Sequence, residues 1–387
     1  MQRQYDYIIA GMGCAGLSLA IQLKKSGLAA GKKILLVDRA QKLQNDRTWC
    51  FWETSPGPFE NIVFRKWEHA WFYNNSFSSL LDLSPYTYKM IRGIDFFRYC
   101  LSEISESPEF DILQGDVQSI KNTSAGAAIM LNDVQIHATY IFNSIMLEKP
   151  IIAKAQFYLL QHFKGWVIRT PEPFFKADEA TLMDFRPSQE RGTTFVYVMP
   201  LSSTEALVEY TLFTSSVLVD EDYESALKHY IVETLGINDY EVIEKEFGII
   251  PMTNFRFTRK NGNILSIGTA GGRTKASSGY TFRFIQKDTD EIIWSLKNSG
   301  HPFGISAPSS RFSWYDSVLL NILAHNKLPG NEIFSFLFSK NSAEKIFKFL
   351  DNETSIPEEW QILSTLPQWP FMKAGISEGL KSIQRSL

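Results

Sequence analysis

Three glycines near the start of the chain, Gly11, Gly13 and Gly16, stand in the spacing G-x-G-x-x-G, with Cys14 and Ala15 between the last two. That spacing suits a pyrophosphate. The first glycine allows a tight turn, the second lets backbone N–H groups approach phosphate oxygens, and the third lets a helix pack closely on a strand. Asp38 follows roughly 20 residues after Gly16, where an acid can take a ribose hydroxyl, and Arg39 stands beside it. The block at 46–53, DRTWCFWE, is too aromatic for an ordinary polar loop. Arg47 offers a guanidinium to a phosphate or a ring carbonyl, and Thr48 and Trp49 open a wall of flat side chains. A second small-residue turn, with Gly268, Ala270 and Gly271, leads to Gly279 and Tyr280.

The elements around these residues must hold them in place. An apolar run at 5–10 predicts a buried parallel strand, helical spacing of Leu17, Ala20, Ile21 and Lys24 predicts a helix, and KILLV at 33–37 predicts a second strand. Residues 64–92 alternate like strands, 94–105 read as a helix, and 110–143 read as short strands with turns. FNSIML at 142–147 is expected to return as a strand to the first sheet. Three period-two runs, YLLQHFKGWVI, TTFVYVMPL and EALVEYTLF, predict an antiparallel sheet. A helix is expected over 223–235, then a strand, a glycine turn and a helix over 263–296. The tail from 312 reads as helices. Its Phe334, Leu337, Phe338, Ile346, Phe349 and Leu350 suit core packing, with an apolar membrane-facing surface over 312–350 as the sharper reading.

The resulting fold class is α/β (α+β). A Rossmann-like nucleotide-binding domain is expected from 1–90 and 245–310 with part of 110–145, a second antiparallel β-sheet domain at 150–244 for the substrate, and a helical C-terminal region at 311–387. Composition narrows the function. At 387 residues, 44% hydrophobic and 21% charged, the chain can bury a large core, and a net charge of -3 gives no reason to expect nucleic acid. Three cysteines without a C-x-x-C pair favour a reducing compartment, and six scattered histidines give no metal motif. No apolar run reaches the ~18 residues of a membrane span. The apolar stretch at 8–21 imitates a signal peptide, but it lacks a basic leader and a cleavage site, so the nucleotide fingerprint prevails. Aromatic residues at 14% must line cores or a large apolar pocket. What remains is a bound dinucleotide, an aromatic-rich cavity and carboxylates carried on strands.

These pieces together resemble a known family, the FAD-dependent lycopene β-cyclases of bacterial carotenoid synthesis. The resemblance rests on the opening glycines with Asp38, DRTWCFWE, QHFKGW at 161–166, MDFRPSQ at 183–189 and FVYVMPLS at 195–202, followed by LVEYT at 207–211, GIIPM at 248–252, GTAGG at 268–272 and SGY at 278–280. It covers most of the chain. It implies a two-domain flavoprotein of the hydroxybenzoate-hydroxylase and geranylgeranyl-reductase type, with FAD held by the glycine turns, Asp38, the 47–49 block and the SGY segment. It also implies acid-catalysed closure of the ψ-ends of lycopene to β-ionone rings, by way of γ-carotene to β-carotene. Reduced FAD is needed there without net redox change, and NAD(P)H is the expected electron source. Lycopene and other acyclic carotenoids are the implied partners, along with a membrane surface touched peripherally from the cytoplasm.

Within the resemblance, Glu209 of LVEYT is the candidate acid and base, with Asp184 of MDFR in reserve. Cyclisation requires a proton delivered to an alkene carbon, attack of the next double bond on the resulting cation, and removal of a ring proton. An apolar setting raises a carboxyl's pKa so that it keeps its proton near neutrality, and aromatic faces stabilise the cation. Tyr210 occupies the place where the family motif commonly carries a second acid, so a carboxylate pair is not expected. Lys275-Ala276 replace the family's Pro, and FNSIML lacks an Asp common there. Two alternatives stay open. One is a flavin reductase or monooxygenase acting on an isoprenoid, and the other is a non-catalytic FAD-bearing carotenoid or lipid carrier.

Overall fold

The computed structural model describes residues 4–384. The first apolar run becomes the strand Gln4–Ala10, followed by the helix Cys14–Lys25 and the strand Ile34–Asp38. These two strands pair in parallel, and Val134–Asn143 lies parallel on the other side of Gln4–Ala10. Ile264–Ser266 and Phe110–Gln114 extend the parallel order at opposite edges. Alternation divides the side chains between two faces. Tyr7, Ile9, Ile34 and Leu36 pack with the helices Cys14–Lys25, Gly93–Ser105 and Phe282–Ser299. Ile8, Leu35 and Val37 pack with Val117–Thr123 and Gly126–Leu131, an antiparallel layer on the opposite face. Covered on both sides, Ile34–Asp38 is buried throughout, which explains its unbroken apolar run.

The second sheet has seven strands. In spatial order they are Glu241–Thr253, Tyr158–Arg169, Glu205–Thr214, Thr193–Pro200, Glu179–Asp184, His69–Tyr73 and Ser78–Asp82. The last two lie inside the expected first domain, and Glu241–Thr253 crosses the expected boundary at 245. One face places Val196, Val198, Val208, Tyr210 and Leu212 against the helix Asp220–His229. The other places Phe195, Tyr197, Leu207 and Phe213 against the C-terminal helices. A slip of one residue would exchange these faces. At roughly 1.5–3 kcal/mol for each large apolar side chain, the slip would cost more than the whole stability of a typical domain, ~5–15 kcal/mol. The register is therefore fixed.

Three expectations are altered. The block at 46–53 supplies a strand, Thr48–Glu53, paired antiparallel with Thr87–Arg92 in a small third sheet. FNSIML returns only as far as Asn143, because the Ser144 N–H and hydroxyl both donate to the Ala10 carbonyl and turn the chain away. The helix over 223–235 is split into Asp220–His229 and a π turn, Tyr230–Thr234.

Beyond residue 310 come five helices, Ser310–Ala324, Gly330–Lys340, Ala343–Leu350, Ile356–Ser364 and Gln368–Gln384. Ser355 and Glu358 form a capping box at the start of Ile356–Ser364. Phe312, Phe334, Leu337, Phe338, Ile346 and Leu350 are buried against the second sheet and its neighbours. The segment 312–350 is thus core, and the expected apolar surface does not lie there. Exposed apolar side chains occur further on, at Trp360, Trp369, Met372, Ile376 and Leu380.

Candidate active site

At the end of Gln4–Ala10 the chain turns through Gly11, whose φ of +98° belongs to glycine. A Cβ at Gly16 would stand 2.0 Å from the Gly11 carbonyl oxygen, so helix and turn touch only because Gly16 has no side chain. Gly13 differs from both. Its φ of -83° is ordinary, and a Cβ there would meet nothing within 4 Å. The space before Gly13 lies at the N-terminus of a helix whose first turn carries no acid. Asp38 closes the turn by accepting from the Met12 N–H at 2.7 Å and the Ala40 N–H at 3.0 Å, with Lys42 at 3.2 Å. This cradle fits a dinucleotide pyrophosphate, backbone N–H groups facing an open space with a carboxylate at its far end.

The other expected contacts divide into three groups. Gly268, at φ +59°, abuts Ala15, and Ala270 and Gly271 complete a short 3-10 turn against the helix start. Cys14 and Arg47 lie within electrostatic reach of each other at that same end, with the Cys14 thiol pushed up to about 12 by burial. Arg39 is exposed, and Arg47 is half exposed and paired with Asp46. Trp49 packs edge-on against Phe96 and Phe97, so it supports the helix layer. Thr48, Gly279 and Tyr280 belong with the glutamates.

Glu209 sits on the strand Glu205–Thr214, and its neighbours Val208 and Tyr210 face the opposite side. Across the sheet its register partners are Tyr197 on one side and Gly165 on the other. Gly165 is in turn paired with Glu246 of the strand Glu241–Thr253. One row across four strands therefore reads Glu246, Gly165, Glu209, Tyr197. Thr211 donates to a Glu209 carboxyl oxygen at 3.0 Å, and Thr48 donates to Glu246 Oε2 at 2.9 Å. Glu246 Oε1 is buried with no hydrogen-bond partner. Sequence reasoning missed Glu246. The signal available was an acid two residues before Gly248 of GIIPM, one of three acids in EVIEKEF and not set apart by spacing.

Glu209 lies deep among protein atoms yet keeps some accessible surface, as do Thr48, Cys50 and Tyr280. These side chains are mostly enclosed by protein but not sealed from solvent. Loss of hydration raises the Glu209 pKa well above the usual carboxylate range, and the adjacent Glu246 charge raises it further. Burial also raises Glu246, against the hydrogen bond from Thr48 and the closeness of the Glu209 carboxyl, which favour its charge. Cys50, Tyr88, Tyr197 and Tyr280 are all driven up chiefly by burial, with Glu209 adding to each. Neutral aromatic and thiol groups thus surround one largely enclosed carboxyl pair.

Residues 6–375 match the family described as lycopene cyclase protein. The chain belongs to this family. Among curated relatives, a chloroplastic neoxanthin synthase of Solanum tuberosum is 24% identical over 300 residues, covering 72% of this chain and 57% of that protein. The chain therefore spans little more than half the length of that relative. A lycopene beta-cyclase of Paracoccus sp. is 32% identical over 92 residues, which cover 24% of this chain and 23% of that one. Solved flavoproteins share the fold. A flavin-dependent brominase aligns at a TM-score of 0.65 with 11% identity, over 99% of this chain and 100% of that one. A geranylgeranyl bacteriochlorophyll reductase-like protein of Thermoplasma acidophilum aligns at 0.60 with 14% identity, over 96% of each.

In this member of the lycopene cyclase family the reserve candidate, Asp184, faces away from Glu209. Its register partner Val196 belongs to the opposite face, and its carboxylate is taken up by the Arg186 N–H, the Arg186 guanidinium and Tyr230 Oη at 2.6 Å. Asp184 therefore locks the π turn to the sheet. A cavity of about 490 Å³ lies among the C-terminal helices, lined by Trp314, Phe334, Leu337, Leu363 and Phe371. Neither glutamate is in its wall. Ser277 and Ser278 lie on its polar edge with Asp316 and Gln368, and the same turn continues through Gly279 to Tyr280, which lies within electrostatic reach of Glu209.

Proposed function

We propose that this chain closes the ψ-ends of lycopene to β-ionone rings, giving γ-carotene and then β-carotene, with Glu209 as general acid. The observation that carries this reading is a largely enclosed carboxyl of raised pKa with Tyr88, Tyr197 and Tyr280 around it. An ordinary glutamic acid, with pKa near 4.3, keeps its proton in roughly 0.2% of molecules at pH 7. Glu209 is set apart from that ordinary case by its surroundings. Protonation of the terminal double bond leaves a tertiary cation, the next double bond closes the ring, and loss of a ring proton restores an alkene. Tyr88, Tyr197 and Tyr280 lie within electrostatic reach of Glu209, and their ring faces favour the cation.

FAD fits the cradle, with Gly11, Gly13, Gly16 and the helix start at the pyrophosphate and Asp38 at the ribose. When bound and reduced, the flavin supplies a negatively charged ring that favours the cationic intermediate, and NAD(P)H is its source of electrons. The hydrocarbon substrate reaches the protein from a lipid surface. Trp369, Met372, Ile376 and Leu380 fall on one exposed face of Gln368–Gln384, and Trp360 is 71% exposed nearby. Such a stripe supports reversible binding in the interfacial plane, and no helix among the described residues is long and apolar enough to cross a membrane.

Purified protein loaded with FAD, reduced under anaerobic conditions and given lycopene in liposomes, is expected to form β-rings without stoichiometric consumption of NADPH. Stoichiometric consumption would assign a reductase or monooxygenase instead, and unchanged pigment would assign a carrier. Flotation with liposomes is expected to carry the protein upward, and replacing Trp360, Trp369 and Ile376 by Ser should abolish this. A triple variant that floats as well as the wild type would remove the C-terminal stripe from the argument.

A further inference from the structure

We propose that Glu246 shares a single proton with Glu209, and that residue 165 is glycine so that the two carboxyls can meet above it. The inference rests on the cyclisation reading for its chemistry and on the sheet register for its geometry. Glu209 and Glu246 are both paired with Gly165, from opposite sides. Neighbouring strands are ~4.8 Å apart, so the two glutamate backbones flank a strand that would normally raise a side chain between them. A Cβ on Gly165 would lie 2.9 Å from Glu246 Cγ, 3.2 Å from Glu246 Oε1 and 3.0 Å from Leu207 Cδ1. The Glu246 side chain, with Leu207, occupies the place of the missing side chain, which leaves its carboxyl directed over Gly165 toward the strand of Glu209.

A second observation points the same way. Glu246 Oε1 is an acceptor, buried and unpartnered, while Oε2 is satisfied by Thr48. A buried acceptor without a donor is costly, and the acid form of Glu209, on the other side of Gly165, supplies an O–H for it. Glu209 in turn has its other demand met by Thr211. The pair then works as acid and base in one turnover. The Glu209 O–H bond breaks, its proton goes to the terminal alkene carbon, and the π electrons of that alkene form the new C–H bond. The next double bond supplies the electron pair that closes the ring. The ring C–H bond then breaks, its electron pair becomes the new double bond, and its proton returns to the carboxylate pair. No oxidant or reductant is consumed, and the pair ends with the one proton it began with.

Two readouts test this, one of them independent of turnover. The FAD-loaded wild type is expected to show the infrared C=O stretch of an un-ionised carboxyl at pH 7, absent in Glu209→Gln. In Glu246→Gln the neighbouring charge is gone and the amide donates to Glu209, so Glu209 ionises at lower pH. The band and the alkaline limb of the cyclisation rate should both move down by about 1 pH unit or more. The groups facing the pair from other elements (Cys50, Tyr88, Tyr197, Tyr280, Thr48 and Asp46) and Glu244 on its own strand are unchanged in that variant. Gly165→Ala should produce the same shift with at least a tenfold loss of rate. If that variant fails to fold, Glu246→Asp, which withdraws the carboxyl from Gly165, should show the loss instead. An unmoved band and limb in Glu246→Gln would overturn the shared proton while leaving Glu209 as sole acid. Full activity in Glu209→Gln would remove Glu209 as the acid and the pair with it, whereas no ring formation by the wild type would overturn the cyclisation reading itself.

Discussion

The glycine turn and the glutamate row are encoded in different ways. At the turn, Gly11 needs a backbone conformation, Gly16 needs an absent side chain, and Gly13 leaves a space open. All three requirements fall within a dozen residues. The glutamate row draws one residue from each of four strands, separated in sequence by between 12 and 81 positions, and becomes a site only through register. Local geometry writes a motif. Register leaves isolated residues whose partners are invisible until the sheet is assembled.

The most direct way to break the comparison is to remove the acid and leave the cradle. Glu209→Gln keeps size and hydrogen bonding but cannot deliver a proton. If a positioned general acid contributes the usual ~10²–10⁴-fold, β-ring formation should fall by that factor while FAD content stays normal. Glu205→Gln, at the start of the same strand and paired with Arg169, should keep its rate per bound flavin. Measured pigment formation per flavin decides it, and near wild-type rates in Glu209→Gln would disconnect the row from the chemistry.

The cradle can be broken without the row, and the three glycines should not respond alike. Gly13→Val has an ordinary φ and open space to enter, so the protein should fold and yet lose its flavin absorbance. Gly16→Ala should instead reduce stability, on the order of 3 kcal/mol, because its Cβ cannot coexist with the Gly11 carbonyl. A Gly13→Val protein that retains flavin would place the cofactor elsewhere.

This contrast also explains what was legible. The parallel sheet, its helix and the antiparallel second sheet follow from apolar runs and period two, and Glu209 could be read from LVEYT. Glu246 could not, because Tyr210 fills the motif position for a second acid and the actual partner comes from across Gly165. Asp184 looked available as a strand carboxylate, but one step of alternation turned it to the other face and into the hands of Arg186 and Tyr230. In the tail the helical spacing of Phe334, Leu337 and Phe338 was real. Whether a stripe faces core or lipid depends on what packs on it, and here the stripe was core while Trp369, Met372 and Ile376 stayed outside.

Asp184 offers a way to sharpen that distinction. Asp184→Asn should weaken the hold on Arg186 and Tyr230. Breaking a fully buried ion pair costs ~3–5 kcal/mol, and Arg186 is about a third exposed, so a loss of about 2 kcal/mol is expected. A denaturant midpoint lowered accordingly, with pigment formation per flavin within about twofold of wild type, would confirm a structural role. A rate loss as large as that of Glu209→Gln would return Asp184 to the chemistry.

The smallest expected effect separates the row from the rest of the sheet by its pH dependence. Glu209 has a folded pKa raised above its unfolded value by enclosure and by Glu246. Between those two values the folded state binds more protons than the unfolded state, so this group's contribution to stability is present at low pH and is lost as pH rises. His162, buried between Tyr223 and Thr214, has the opposite sign. Burial takes its pKa down to about 4, so stability is lost as pH falls below the unfolded value of about 6.5. Each group alone can tilt the curve by up to ~1.4 kcal/mol per pH unit. Glu209→Gln should therefore be more stable than wild type at pH 8 and gain little at pH 4. His162→Gln should flatten the acid side, from about pH 6.5 down to about 4, on top of a pH-independent loss from its buried hydrogen bonds to Tyr223 and Thr214. Denaturant melts at the two pH values would separate them. A Glu209→Gln variant no more stable at pH 8 than the wild type would mean that the carboxyl is already ionised in the folded protein, and the row would then have no proton to give.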